Sequence, residues 1–190
     1  MKKVMKLLSV AVILVSPFAH AHGIHDGLSV SLLNGFFHPF LGLDHLLILL
    51  AMGIASQMSC FEKLKGGLFI LAALCMMGAG FVFGLWWEAR SVMEALILGS
   101  VFVAGFAVWK LNSGSWLAKA LVTTSLLAVS IHGWAHGVEV GHASLATFAI
   151  GMLMGSVVIM VLGSQLVKLV SSQKLAAAIV SCGVLIGVIG

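Results

Sequence analysis

The sequence predicts an all-α, polytopic membrane protein, a bundle of six transmembrane helices behind a cleavable N-terminal signal peptide. Three observations predict it. Hydrophobic residues make up 61% of the chain and charged residues only 8%, with a mean hydropathy of +1.18, far above what a soluble domain of 190 residues needs. The apolar residues fall into runs approaching the roughly 20 helical residues that cross a bilayer core. Lysines gather in every second connection between those runs, which is how cytoplasmic loops are marked.

The chain begins with Lys2, Lys3 and Lys6 ahead of an apolar stretch at 7–15, followed by Ala19-His20-Ala21. A basic start, a short apolar run and a small-x-small site read as a secretory signal peptide over 1–21, leaving 22–190 as a single six-helix transmembrane domain. Without those three lysines the net charge falls from +4 to +1, so the basic balance carries no argument for nucleic acid. The new amino terminus, His22-Gly23-Ile24-His25-Asp26-Gly27, offers two imidazoles and a carboxylate that could gather a divalent cation outside the membrane.

Residues 28–37 are apolar but hold Ser29, Ser31, Asn34 and Gly35, and read either as the outer part of a broken helix or as an interfacial piece. A break is expected near 34–39, because Pro39 lacks the N–H that a continuous helix requires. The first span is then 40–59, and five more follow at 66–85, 92–109, 117–135, 143–165 and 175–190. With the amino terminus outside, the inner connections hold or adjoin Lys63, Lys65, Lys110, Lys119, Lys168 and Lys174, whereas the outer ones hold Arg90. Six spans satisfy the charge rule and place both termini outside a bacterial inner (cytoplasmic) membrane.

Trp86, Trp87, Trp109 and Trp116 fall at span ends, where amphipathic rings settle. Small residues four apart, at Gly80/Gly84, Thr147/Gly151/Gly155 and Gly183/Gly187, read as helix-packing surfaces. Met76, Met77, Met152 and Met154 read as packing, and Cys60, Cys75 and Cys182, with no Cys-x-x-Cys spacing, as small buried hydrophobes.

The chemistry lies in two segments. His38-Pro39-Phe40-Leu41-Gly42-Leu43-Asp44-His45 puts three ionisable residues at the head of an apolar run, and each costs about 2.5–3.5 kcal/mol at the centre of a membrane helix. Such a cost needs a reason. With Pro39 as the first residue of a helix, His38 and His45 lie about two turns apart on one face, and Asp44 serves as a ligand or orients an imidazole. The second segment is Ile131-His132-Gly133-Trp134-Ala135-His136-Gly137-Val138-Glu139, in which His132, His136 and Glu139 share one helical stripe. Two histidines four apart are a recurring way for one helix to hold one ion. The first span runs inward and the fourth outward, so both groups fall near the outer face and can share a metal. His142 and Glu94, together with His22 and His25, are secondary candidates.

His-Pro-x-x-Gly-x-Asp-His at 38–45 with His-Gly-x-Ala-His-Gly-x-Glu at 132–139 resembles the HupE/UreJ family of hydrogenase and urease accessory proteins. The resemblance implies a small membrane permease for nickel, or in some members cobalt, and not an enzyme. It implies that His38, Asp44, His45, His132, His136 and Glu139 are the functional positions.

Imidazoles with a carboxylate suit Ni²⁺, Co²⁺ or Zn²⁺ as the transported ion and disfavour Mg²⁺ and Ca²⁺. No bound cofactor is required. Protonated imidazoles cannot ligate, so binding should fall as pH drops below about 6.5. No Gly-x-x-x-x-Gly-Lys-Ser/Thr loop is present, which argues against direct ATP coupling, and the inner halves of the spans carry no obvious acidic relay, so facilitated diffusion is the expected mode with proton coupling left open. The partners expected are the ion, the lipid bilayer and metalloenzyme maturation proteins, with oligomeric state open. One competing reading is a membrane-embedded zinc hydrolase with Glu139 as general base. Another is a sensor that hands metal on without transporting it.

Overall fold

The structure, a computed structural model, describes residues 28–57, 66–87, 90–139 and 145–189. The signal-peptide reading of 1–21 therefore lies outside the described residues, as do His22, His25, Cys60 and His142. Among the described residues there are seven α-helices and no strand: α1 Leu28–Leu41, α2 Leu43–Ala55, α3 Gly66–Gly84, α4 Arg90–Trp109, α5 Trp116–Glu139, α6 Leu145–Leu169 and α7 Ser172–Ile189. An all-helical answer follows from the apolar runs, because a helix satisfies every backbone N–H and C=O within the segment when no water can do so.

Among the described residues, four helices are long and apolar enough to cross a membrane by themselves: Gly66–Gly84, Val92–Trp109, Trp116–Glu139 and Leu145–Leu169. The chain is a multi-pass membrane protein. A fifth crossing arises if α1 and α2 count as one span bent by 81°, and the apolar helix Ser172–Val188 is shorter.

That bend corrects two expectations. Helix α1 continues through Pro39 instead of breaking at 34–39, and Pro39 is an interior residue of α1 rather than the first of a new helix. The chain leaves helical geometry at Gly42, with φ −85° and ψ 115°, and α2 starts at Leu43 with Leu46 N–H donating to the Gly42 carbonyl at 2.9 Å. The missing Pro39 N–H forfeits one bond near the end of a helix, a loss that α1 absorbs. Nor is 40–59 a single straight span. At 13 residues α2 is only about 20 Å long, too short to cross alone.

Helix α2 forms the centre of the bundle, packed against α6, α4, α5, α1 and α7. It is buried almost all round, with Leu47, Ile48, Leu49, Met52 and Ile54 enclosed, as a helix lacking a polar face must be. The pairs α3/α5 and α1/α6 approach more closely. A Cβ at Gly80 would collide with the Ser130 carbonyl oxygen, and one at Gly133 with that of Met77. Gly151 and Gly155 stand in the same way against the Leu32 and Phe36 carbonyls. Small residues thus let helix backbones touch.

Two further features fix the ends of α5. Gly114 has φ +60°, a left-handed conformation that closes the turn after Leu111–Ser113, and the Ser115 hydroxyl accepts from Ala118 N–H at 3.2 Å as an N-cap. At the far end the Trp134 indole donates to the Trp87 carbonyl at 2.7 Å, tying α5 to the chain beyond α3. Trp86, Trp87, Trp109 and Trp116 are all exposed at helix ends, as expected. Cys75, expected to be buried, is instead exposed on α3, and Cys182 is half-buried; both are free thiols.

Candidate metal centre

The last two turns of α5 carry the second histidine segment. His132 is fully buried and His136 is 1% exposed, each followed by a glycine on which α3 packs. The adjacent pairs divide the work: the imidazole enters the interior while the glycine beside it admits the neighbouring backbone. The bend at Gly42 delivers the first segment to the same place. His38, near the end of α1, and His45, in the first turn of α2, both face α5.

The result is a string of four rings. Centroids stand 4.4 Å apart for His38 and His136, 4.3 Å for His136 and His45, and 4.8 Å for His45 and His132. Two sets of three ligands can be drawn from it: His38, His136 and Glu139, and Asp44, His45 and His132, with one ligand atom per residue lying within 4.8 Å of the others in its set. Ligands on opposite sides of an ion at about 2.1 Å are about 4.2 Å apart, so small side-chain rotations would close either set on a metal.

Among the described residues, four buried imidazole nitrogens have no hydrogen-bond partner: His45 Nε2, His132 Nδ1, and both nitrogens of His136. Leaving a buried polar atom unpaired costs about 1–3 kcal/mol, so a cluster of them calls for an occupant.

The partners that do exist decide which nitrogens are offered. The Ser100 hydroxyl of α4 donates its one proton to the Ile97 carbonyl at 2.6 Å and lies 2.8 Å from His132 Nε2. It can therefore only accept from His132, which puts the imidazole proton on Nε2 and leaves the Nδ1 lone pair for the centre. Asp44 Oδ2 lies 2.9 Å from His45 Nδ1. An ionised carboxylate only accepts, so His45 is protonated on Nδ1 and presents Nε2. Glu139, at 63% exposure, is the outlying member, with Oε2 3.8 Å from His136 Nδ1.

A sequence profile described as HupE / UreJ protein matches residues 10–190. The chain belongs to the HupE/UreJ family. It is 31% identical over 172 residues to a protein named Protein HupE from Rhizobium leguminosarum bv. viciae, an alignment that covers 85% of this chain and 82% of that one. No solved structure matches this chain.

In this HupE/UreJ chain the structure brings together His38, Asp44, His45, His132, His136 and Glu139, all singled out from sequence. Glu94, a secondary candidate, sits on the exposed side of α4 and belongs to neither set. Sequence reasoning missed two residues. Gly42 was visible as the glycine of the first motif: a Cβ there would lie 2.7 Å from His45 Nδ1 and 3.1 Å from Asp44 Oδ1. Ser100 gave no signal beyond being a lone hydroxyl in an apolar run, and only the packing of α4 on α5 reveals its partner.

Proposed function

We propose that this HupE/UreJ chain carries a first-row transition ion, Ni²⁺ or Co²⁺, across a bacterial inner membrane through the centre built by α1, α2, α4 and α5. The observation that carries this reading is the set of buried, unpartnered imidazole nitrogens facing one another inside a membrane bundle. Neutral imidazoles with one or two carboxylates favour borderline divalent ions over Mg²⁺ and Ca²⁺. The exposed carboxylate of Glu139 draws the cation in, and the rings replace its hydration shell.

Six crossings, with 22–190 as one transmembrane domain and both termini outside, give the transport unit. The bent α1/α2 pair supplies the first crossing and α7 the last. The ion moves by facilitated diffusion, and maturation proteins of the metalloenzyme it serves take it up inside. The HupE/UreJ family is one of permeases and not of enzymes. A hydrolase reading gains nothing from the site, since Glu139, its general base, points from an exposed helix end.

The test is uptake of ⁶³Ni²⁺ and of ⁵⁷Co²⁺ into liposomes holding only this protein, with His45→Ala and His132→Ala beside it. Both variants should lose uptake while keeping the elution profile of the folded protein. Equal uptake by all three would overturn the assignment.

A further inference from the structure

We propose, resting on the transport reading above, that the centre is not one site but two successive ones, between which a single ion is handed along the string of imidazoles. The outer station is His38, His136 and Glu139, and the inner station is Asp44, His45 and His132.

Three features of the geometry point to this. The ligand atoms fall into two triads, each compact within 4.8 Å, and the rings form a line in which His38 and His45 are 6.2 Å apart. The six donors thus offer two alternative sets of three, and an ion need not engage all of them at once. Each triad also has the same composition, two imidazoles and one carboxylate, so both offer an ion the same kind of donor set. A path conducts only when its binding steps are strong enough to admit the ion and shallow enough to release it.

The third feature is depth. Glu139 is the last residue of α5 and 63% exposed, whereas Asp44 and His45 are 22% and 12% exposed and His132 is fully buried. His132 meets Ser100, which lies halfway along the apolar stretch Val92–Trp109. The stations therefore lead from the end of the bundle toward its middle. His136 and His45, with centroids 4.3 Å apart, form the step between them. Two divalent ions this close would repel strongly, so one ion alternates between the stations.

Binding and transport then respond differently to damage. Either station alone can hold the ion, so for binding they act in parallel, but the ion must visit both, so for transport they act in series. Equilibrium dialysis of the purified protein against ⁶³Ni²⁺, and ⁶³Ni²⁺ uptake into liposomes of the same protein, read the two properties separately. Asp44→Asn or Glu139→Gln alone should weaken binding by about twofold, since one of two matched stations survives. The double variant should lose binding by on the order of 100-fold or more. Each single variant should abolish uptake. His132→Gln and His38→Gln cut the same stations through an imidazole and should repeat the pattern should either carboxylate variant misfold.

A single variant that binds as weakly as the double one would make all six residues one site. A single variant with wild-type uptake would take its station off the path. Either result overturns the hand-off while leaving transport standing; a wild-type protein that takes up no Ni²⁺ overturns the transport reading and the hand-off together.

Discussion

The imidazoles of His45 and His136 stand with centroids 4.3 Å apart and planes inclined by 37°, although one opens the second helix and the other closes the fifth. Among the described residues both nitrogens of His136 are unsatisfied, and His45, held by Asp44 through Nδ1, leaves its Nε2 unsatisfied. What joins them is the 81° bend at Gly42, which turns α2 under the end of α1 and aims His45 at α5.

Gly42 should accordingly be as sensitive as a ligand. Gly42→Ala places a methyl 2.7 Å from His45 Nδ1, where the Asp44 carboxylate now accepts its proton at 2.9 Å. The expected outcome is loss of Ni²⁺ uptake into liposomes with the helical circular dichroism unchanged, since an extended φ and ψ are open to alanine.

Ser100 acts through His132. Ser100→Ala removes the acceptor that fixes the Nε2–H tautomer, so the ring can turn or protonate Nδ1 instead. Metal affinity should fall by about 10–100-fold, the usual cost of losing such an orienting partner. Isothermal titration with Ni²⁺ measures it, and ¹⁵N chemical shifts of the His132 ring distinguish a changed tautomer from a merely loosened helix.

The glycines of the second motif belong to packing. Gly133→Ala drives a Cβ into the Met77 carbonyl, a backbone group that cannot rotate away, and should destabilise the α3/α5 pair by about 1–3 kcal/mol. Gly78→Ala on α3 meets nothing within 4 Å and should be neutral or stabilise by up to about 1 kcal/mol. Thermal unfolding in detergent compares the two.

Acidification should stop transport. Only a neutral imidazole has a lone pair for a metal, and each added proton competes with the ion at His38, His45, His132 or His136. Uptake is therefore expected to be full at neutral to mildly alkaline pH and to decline as pH falls, with no loss on the alkaline side attributable to these groups. Initial ⁶³Ni²⁺ uptake rates across external pH, at fixed internal pH, give the profile.

Much of this was legible before any coordinates. Apolar runs over a lysine pattern dictated a helical membrane protein, because in lipid no other open chain satisfies its backbone. Ionisable residues are costly there, so His38, Asp44, His45, His132, His136 and Glu139 stood out as candidate ligands, as did Glu94, which joins neither triad. Helical spacing placed His132, His136 and Glu139 on one stripe.

The same local rules misjudged what happens between helices. They located the break near 34–39, whereas the chain bends at Gly42, where a side chain would strike His45 and Asp44. They gave no role to Ser100, although its hydroxyl sets which nitrogen His132 offers. Composition and periodicity are properties of one segment, and they determined the fold class and the candidate ligands. Which rings meet, in what order and through which nitrogen depends on the crossing of α1, α2, α4 and α5, and only the tertiary structure decided that.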